Sequence, residues 1–302
     1  MLYSNHERSA FVLIYLFLSV LAGITKGFFG KKTSGVISGF KDAVLANTLR
    51  MAFCLIFGTL VILLSGDFGN IIPPSNIIPA IILSGLANAI FVATWLVSVK
   101  NGAYMMLDVA LMLATLVPTI LCHFVFSEPI TLFQWIGIGV LLCATAVMCS
   151  YNNSLKSAIN LKFAITLMVC ALSSGFADFS QKMFVHQKAS TPASVFNLYT
   201  YLVAGIFLII FFGFIKGDCK PKQVLSKTYL FLLVMSACLF LNTWLKTIAA
   251  ESLDSAVLYP LYQGSALVLA SIMSVVCFKE KLNTKAYIGL ALAFAGLIIM
   301  KI

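Results

Sequence analysis

Six ionisable side chains interrupt long apolar stretches of this 302-residue chain: Lys26, Arg50, Asp108, Asp178, Lys182 and Lys246. In hydrocarbon an ionised group costs at least ~2.5–3.5 kcal/mol, so such residues are kept for a pathway, a site or a partner. Lys26, Lys182 and Lys246 lie within about two turns of a segment end and can instead snorkel to the interface. Asp108 falls one turn into its segment, where a helix N-terminus favours a carboxylate. Asp178 is too short to snorkel and lies deep in its segment, 152 residues after Lys26. Opposite charges at these two positions read as a charge pair lining a cavity, as the two poles of a site for a zwitterion, or as a structural salt bridge. Tyr259, Tyr262 and Gln263 surround Pro260, and a proline inside a helix frees a backbone carbonyl; Pro118 does the same elsewhere. Trp95, Trp244 and the tyrosines can stack on a solute or hold a cation, or can pack as core. Asn88 and Asn242 divide in the same way between a site and interhelical hydrogen bonds. The candidate substrate-binding set is Lys26, Arg50, Trp95, Asp178, Trp244, Tyr262 and Gln263.

The elements that must position these groups follow from composition. Hydrophobic residues are 61% of the chain and charged residues 10%, with a mean hydropathy of +1.03. Soluble domains carry roughly a quarter charged residues, so the solvent of this chain is lipid. Ten apolar segments approach the ~20 residues that a crossing helix needs: about 10–30, 43–65, 77–99, 104–126, 131–149, 161–184, 193–215, 228–249, 255–277 and 285–301. They are long and show no period-two alternation, so helices are expected and a barrel is not. The mixed stretch Met1–Ser9 does not read as a cleavable signal, and the chain reads as one membrane domain.

The segments repeat. Phe126-Ser127-Glu128, with Gly137 nine residues after the glutamate, is echoed by Phe278-Lys279-Glu280 with Gly289 at the same distance. The offset is 152, and Gly23 and Gly175 share it. Thr94-Trp95-Leu96 and Thr243-Trp244-Leu245 follow at 149, and Leu107-Asp108 and Leu253-Asp254 at 146. Five segments per half is an odd number, so the halves insert in opposite senses. The expected fold is an all-α integral membrane protein of ten transmembrane helices, two inverted five-helix repeats over 1–150 and 151–302, an architecture typical of transporters. In such a fold equivalent positions, here Lys26 and Asp178, meet across the pseudo-twofold axis. Glu128 and Glu280 stand just before the fifth and tenth segments, where a carboxylate suits the free N–H groups of a helix start.

On these features the chain resembles the drug/metabolite transporter superfamily, and within it the ten-helix EamA-like transporters. The matching residues are Glu128 with Gly137, Glu280 with Gly289, Arg50 early in the second segment, and Lys182 seven residues after Gly175. The first segment departs from the pattern: it has Ala22-Gly23 where relatives have Trp-Gly, and its lysine is displaced to Lys31. The resemblance covers about residues 10–301 and implies transport; it does not imply a cargo, because the family carries very different ones.

Orientation follows from the basic residues. Lys31, Lys32, Lys41, Lys100, Lys156, Lys162, Lys216, Lys220, Lys222, Lys227, Lys279, Lys281 and Lys285 flank the odd-numbered connections. Only Arg8, Lys182, Lys188 and Lys301 lie on the opposite side. Short basic loops stay cytoplasmic, so both termini are expected outside, although many EamA-like relatives have cytoplasmic termini. A bacterial plasma membrane is the expected location. The net charge of +10 is thus an orientation signal; no basic run interleaved with aromatics points to nucleic acid.

The motifs exclude other chemistry. No G-x-x-x-x-G-K-[ST] is present for ATP, no H-E-x-x-H for zinc and no C-x-x-C pair. His123 is the only histidine deep in an apolar run, and a lone histidine is a poor sign of a catalytic base. No enzyme activity, cofactor or metal is expected, and a scaffold without a cavity is the remaining non-transporting alternative. The expected function is secondary transport of a small polar organic metabolite, an amino acid or related zwitterion. The alternative is exchange of anionic phosphorylated or nucleotide sugars held by Lys26, Arg50 and Lys246. Expected partners are the small-molecule substrate, the lipid bilayer and either a proton, for which Asp178 is the carboxylate to test, or a counter-substrate. The chain is expected to act as a monomer or homodimer.

Overall fold

Long apolar sequences leave the backbone no partner but itself, and the chain satisfies that demand with helices throughout. The structure, a computed structural model, describes residues 5–100, 104–149, 161–187, 191–216, 219, 221–278 and 284–300. Its helices are α1 (Asn5–Ser34), α2 (Phe40–Ser65), α3 (Ile78–Lys100), α4 (Tyr104–Ala114), α5 (Leu116–Phe126), α6 (Leu132–Cys149), α7 (Leu161–Gln187), α8 (Ala193–Phe214), α9 (Pro221–Ala250), α10 (Ser255–Phe278) and α11 (Thr284–Ile299). Two short 3-10 turns lie between α2 and α3. All ten expected segments are helical. Among the described residues seven helices are long and apolar enough to cross a membrane, and shorter apolar helices cover Ala110–Phe126, Leu132–Val147 and Tyr287–Ile299.

The segment 104–126 divides into α4 and α5 at Thr115, which sequence reading did not foresee. Pro118 has no N–H to give the carbonyl of Ala114, so one rung of the ladder is lost. The Thr115 amide turns to the Met112 carbonyl at 3.2 Å, and its hydroxyl donates to the same oxygen at 2.7 Å. Pro260, in contrast, stays within a continuous α10.

Local signals set the ends. Gly66 closes α2 in the left-handed region at φ 74°, which a glycine adopts without cost. Ser127 takes the same region at φ 55° after α5, and the Glu128 amide then reaches back to the Cys122 carbonyl. α6 opens with a reciprocal capping box: the Thr131 amide donates to Gln134 Oε1 at 2.9 Å and the Gln134 amide to Thr131 Oγ1 at 3.2 Å.

α1 packs along α9, α3 along α7, α2 along α8, and α6 along α11. The outward faces stay apolar, with Leu64, Phe124 and Phe214 largely exposed to what must be lipid. Small residues permit the close crossings. A Cβ on Gly175 would stand 2.7 Å from the Ala114 carbonyl that Pro118 leaves free. A Cβ on Gly137 would stand 2.9 Å from the Gly296 carbonyl of α11, so Gly137 meets Gly296 and not the sequence-matched Gly289.

Candidate functional site

Polar side chains on α1, α3, α7, α9 and α10, together with Leu111 of α4 and Thr115 at the α4–α5 break, converge on one cavity in the middle of the bundle. Its water-accessible volume is about 90 Å³. On that measure a single water needs ~10–15 Å³, so a small solute with some of its hydration fits.

Lys26, Trp95, Asp178, Tyr262 and Gln263 all line this space. The electrostatics differ from the sequence expectation. Asp178 pairs with Lys246 of α9 and not with Lys26. Both partners are largely buried, at 9% and 13% exposure for Lys246 and Asp178. Lys246 therefore has a partner in the interior and does not snorkel. The physical reason is reach: Asp178 and Lys246 face each other on α7 and α9 at the cavity wall, and Lys26 on α1 makes no ion pair with Asp178. Tyr259 fixes the same stretch of α7, its hydroxyl donating to the Asp178 carbonyl at 2.5 Å. Lys246 Nζ also stands 4.9 Å from the Tyr262 ring centroid and 5.7 Å from that of Tyr259.

Lys26 is held instead by aromatic faces, its Nζ 5.7 Å from the ring centroids of both Phe91 and Trp95 on α3. Asn242 organises the wall beside it. Its Nδ2 donates to the Ser19 carbonyl at 2.7 Å and to the Tyr262 hydroxyl at 2.7 Å, and Ser19 Oγ donates back to the Asn242 carbonyl at 2.8 Å. These bonds tie α1, α9 and α10 together. Gly23 makes room for them: a Cβ there would stand 2.5 Å from the Tyr262 hydroxyl.

Two expected site residues lie off the cavity wall. Trp244 packs beside Phe240 and against buried residues of α2, α3 and α8. Arg50 is 1% exposed on α2, where Nη1 donates to Asn47 Oδ1 at 2.6 Å. The sequence echo of Trp95 and Trp244 could not separate them, because helices turned by one residue present different faces. Residues that sequence reading passed over also line the cavity, among them Phe91 and Gln181. Neither carries a charge or a repeat signal that marks it out.

Beyond the cavity, towards the chain-terminus side, lies a second buried cluster. Glu128 is 5% exposed and forms an ion pair with Lys182 at 2.9 Å. Its other oxygen accepts the Ser255 amide at 2.7 Å. Sequence reading expects Glu128 to serve the start of the following helix, α6. The carboxylate instead caps α10, because the left-handed turn at Ser127 aims it inward and Thr131 already caps α6. Lys182 donates further to the Leu253 carbonyl at 2.6 Å, so it too is partnered. His186 Nε2 lies 3.2 Å from Glu128 Oε1, and its ring stacks on Phe126 with centroids 4.1 Å apart. His123 Nδ1 is 2.8 Å from the Glu128 carbonyl and must carry the proton, since that oxygen can only accept. Burial pushes the Glu128 carboxyl up, but the donors from Ser255 and Lys182 outweigh it and hold the group below the ordinary carboxylate range. Its repeat counterpart, Glu280, lies outside the described residues, and the side chain of Asp108 is likewise not described.

An all-helical bundle with apolar outer faces and a polar cavity among its helices is an architecture that membrane transporters use. Residues 161–302 match the EamA-like transporter family, which agrees with the resemblance to the drug/metabolite transporter superfamily. Among solved structures 28 chains match. One, described only as "Crystal structure of protein", superposes with a TM-score of 0.71 at 15% identity and covers 96% of each chain. At that identity the likeness is one of fold. No curated protein matches the chain.

Proposed function

We propose that this protein is a secondary transporter that moves a small polar organic metabolite by alternating access between two inverted five-helix halves, residues 1–150 and 151–302. The carrying observation is the pattern of helix pairs. With α4 and α5 counted as one segment, the segment five places after α1 is α7, and α8, α9, α10 and α11 follow for the others. Exchanging each helix for its counterpart turns the contact of α1 with α9 into that of α7 with α3, and that of α2 with α9 into that of α8 with α3. Both members of each pair occur. The contacts of α2 with α8 and of α6 with α11 are their own counterparts. Side chains support the same reading. Asn47 donates to the Ala43 carbonyl and across to Val92, while Asn197 donates to the Ala193 carbonyl and across to Thr247. The cavity draws on equivalent helices of both halves, as inverted-repeat transporters require at their midplane site.

The cavity volume favours a small solute over a nucleotide sugar. No nucleotide-binding loop is present in the sequence, so a solute or proton gradient drives the cycle. The cluster of Glu128, Lys182 and Ser255 closes the terminus side, and opening towards that side requires it to part. Reconstitution in proteoliposomes tests the reading: preloaded vesicles should show counterflow of a radiolabelled small metabolite, inhibited in Trp95→Ala. Absence of flux for amino acids, organic acids, sugars and their phosphates alike would refute it.

A further inference from the structure

We infer that the solute is a small organic anion, a monocarboxylate whose acid group supplies the counter-charge that Lys26 lacks; this rests on the transporter reading and narrows it. Among the described side chains the interior charges do not balance. Lys26, Arg50, Lys182 and Lys246 are the cations described on the middle helices, and Asp178 and Glu128 are the described acids that face them. Glu128 serves Lys182, and Asp178 serves Lys246. Asp42 is also buried but sits at the start of α2, accepting the Ser38 amide, and Arg50 lies eight residues further along that helix. Lys26 and Arg50 have no carboxylate within ion-pairing distance among the described residues.

The two unmatched cations differ in access. Arg50 is enclosed, with its Nε unpartnered, and is a positive charge buried behind the wall. Lys26 is on the wall itself. Phe91 and Trp95 offer their faces to its ammonium but accept none of its hydrogen bonds in full. A half-buried cation facing a small cavity with its donors unmet is costly, and a bound acid group relieves both defects at once. The other end of the cavity excludes the alternatives. Asp178 is already neutralised by Lys246, so the ammonium of a zwitterion or an organic cation finds no free carboxylate. Gln181, 4% exposed on the same wall, leaves its side-chain oxygen without a partner, which a solute hydroxyl can satisfy. Lys26, unpaired among the described residues, matches one negative charge, and the small volume matches a short hydroxy acid.

The test uses the purified full-length protein and thermal unfolding at constant ionic strength, with L-lactate, propionate, glucose 6-phosphate, leucine and choline as probes. Lactate and propionate are expected to raise Tm in a concentration-dependent way, with leucine and choline without effect. Lys26→Met should raise the ligand-free Tm, because it removes an unmatched charge from the cavity wall, and should weaken lactate binding by about tenfold or more. Lys26→Arg should restore part of the lactate response. A fall in ligand-free Tm for Lys26→Met would show Lys26 to be structural and overturn the inference. So would a lactate response that survives that substitution, a response to leucine or choline alone, a response to glucose 6-phosphate alone, or no carboxylate response. Flux separates the two levels. Carboxylate binding through Lys26 without any counterflow sinks the transport reading and leaves this one. Counterflow of a neutral or cationic solute that Lys26→Met leaves intact sinks this one and leaves transport.

Discussion

At the scale of residues, the interior is governed by which charges find each other. The pair of Asp178 and Lys246 is buried on both sides, so removing one partner strands the other at a cost of ~3–5 kcal/mol. Asp178→Asn and Lys246→Met are each expected to lower folded yield and Tm sharply, and the exchange Asp178→Lys with Lys246→Asp to recover much of the loss. A swap no more stable than the single variants would contradict a direct pair. Glu128 makes a pH-dependent contribution. Its carboxyl is held below the ordinary range, so the stability it gives is complete above the unfolded value and is lost as pH falls through the folded one. Glu128→Gln should therefore be ~3–5 kcal/mol less stable than the wild type near neutrality. The gap should close on acidification below the usual carboxylate range, as Tm against pH will show; a constant gap would mean that the charge of Glu128 is not what matters.

At the scale of elements, the division of α4 from α5 couples a proline in one helix to a glycine in another. Pro118 frees the Ala114 carbonyl, and α7 comes close enough to cover it because Gly175 has no side chain. Gly175→Val is expected to cost at least ~1–3 kcal/mol by overpacking. Gly139→Ala on α6, where an added Cβ meets nothing within 4 Å, should be neutral or slightly stabilising. Unfolding in mild detergent distinguishes them, and equal effects would show that the crossing is not tight. Gly23 of α1 meets Tyr262 of α10 in a similarly close contact, and its lack of a side chain admits a polar group at the cavity wall.

At the scale of the molecule, orientation is a property of the whole chain's charge. The basic bias predicts both termini outside the cytoplasm, an orientation that labelling can test. A single cysteine at position 5 should then react with an impermeant maleimide in intact cells, and one at 220 should be protected, with Cys219 replaced by serine. The reverse labelling pattern would invert the molecule. Orientation also decides which compartment the cluster around Glu128 closes off, since it lies on the side of the termini.

Sequence alone determined the class of this protein because its strongest signals are local. Ten apolar runs in a chain with 10% charge can only be membrane helices, and an echo at half-length needs no coordinates to be seen. The set Lys26, Trp95, Asp178, Tyr262 and Gln263 was legible because charges and aromatics near a proline stand out against leucine. What the tertiary structure alone decided is who faces whom. The offset of 152 directed Asp178 to Lys26, and only the seating of α9 against α7 gives it Lys246 instead. Trp244 and Arg50 carry the same residue-level signal as Trp95 and Lys26, yet the rotation of α9 and the position of α2 turn them into the packed interior. The donors that meet the Glu128 carboxylate were likewise beyond local reading, since Ser255 and Lys182 are far away in sequence. Local spacing fixes the face of a helix to within a residue or two, one residue turns a side chain by about 100°, and only packing against the other helices settles that angle.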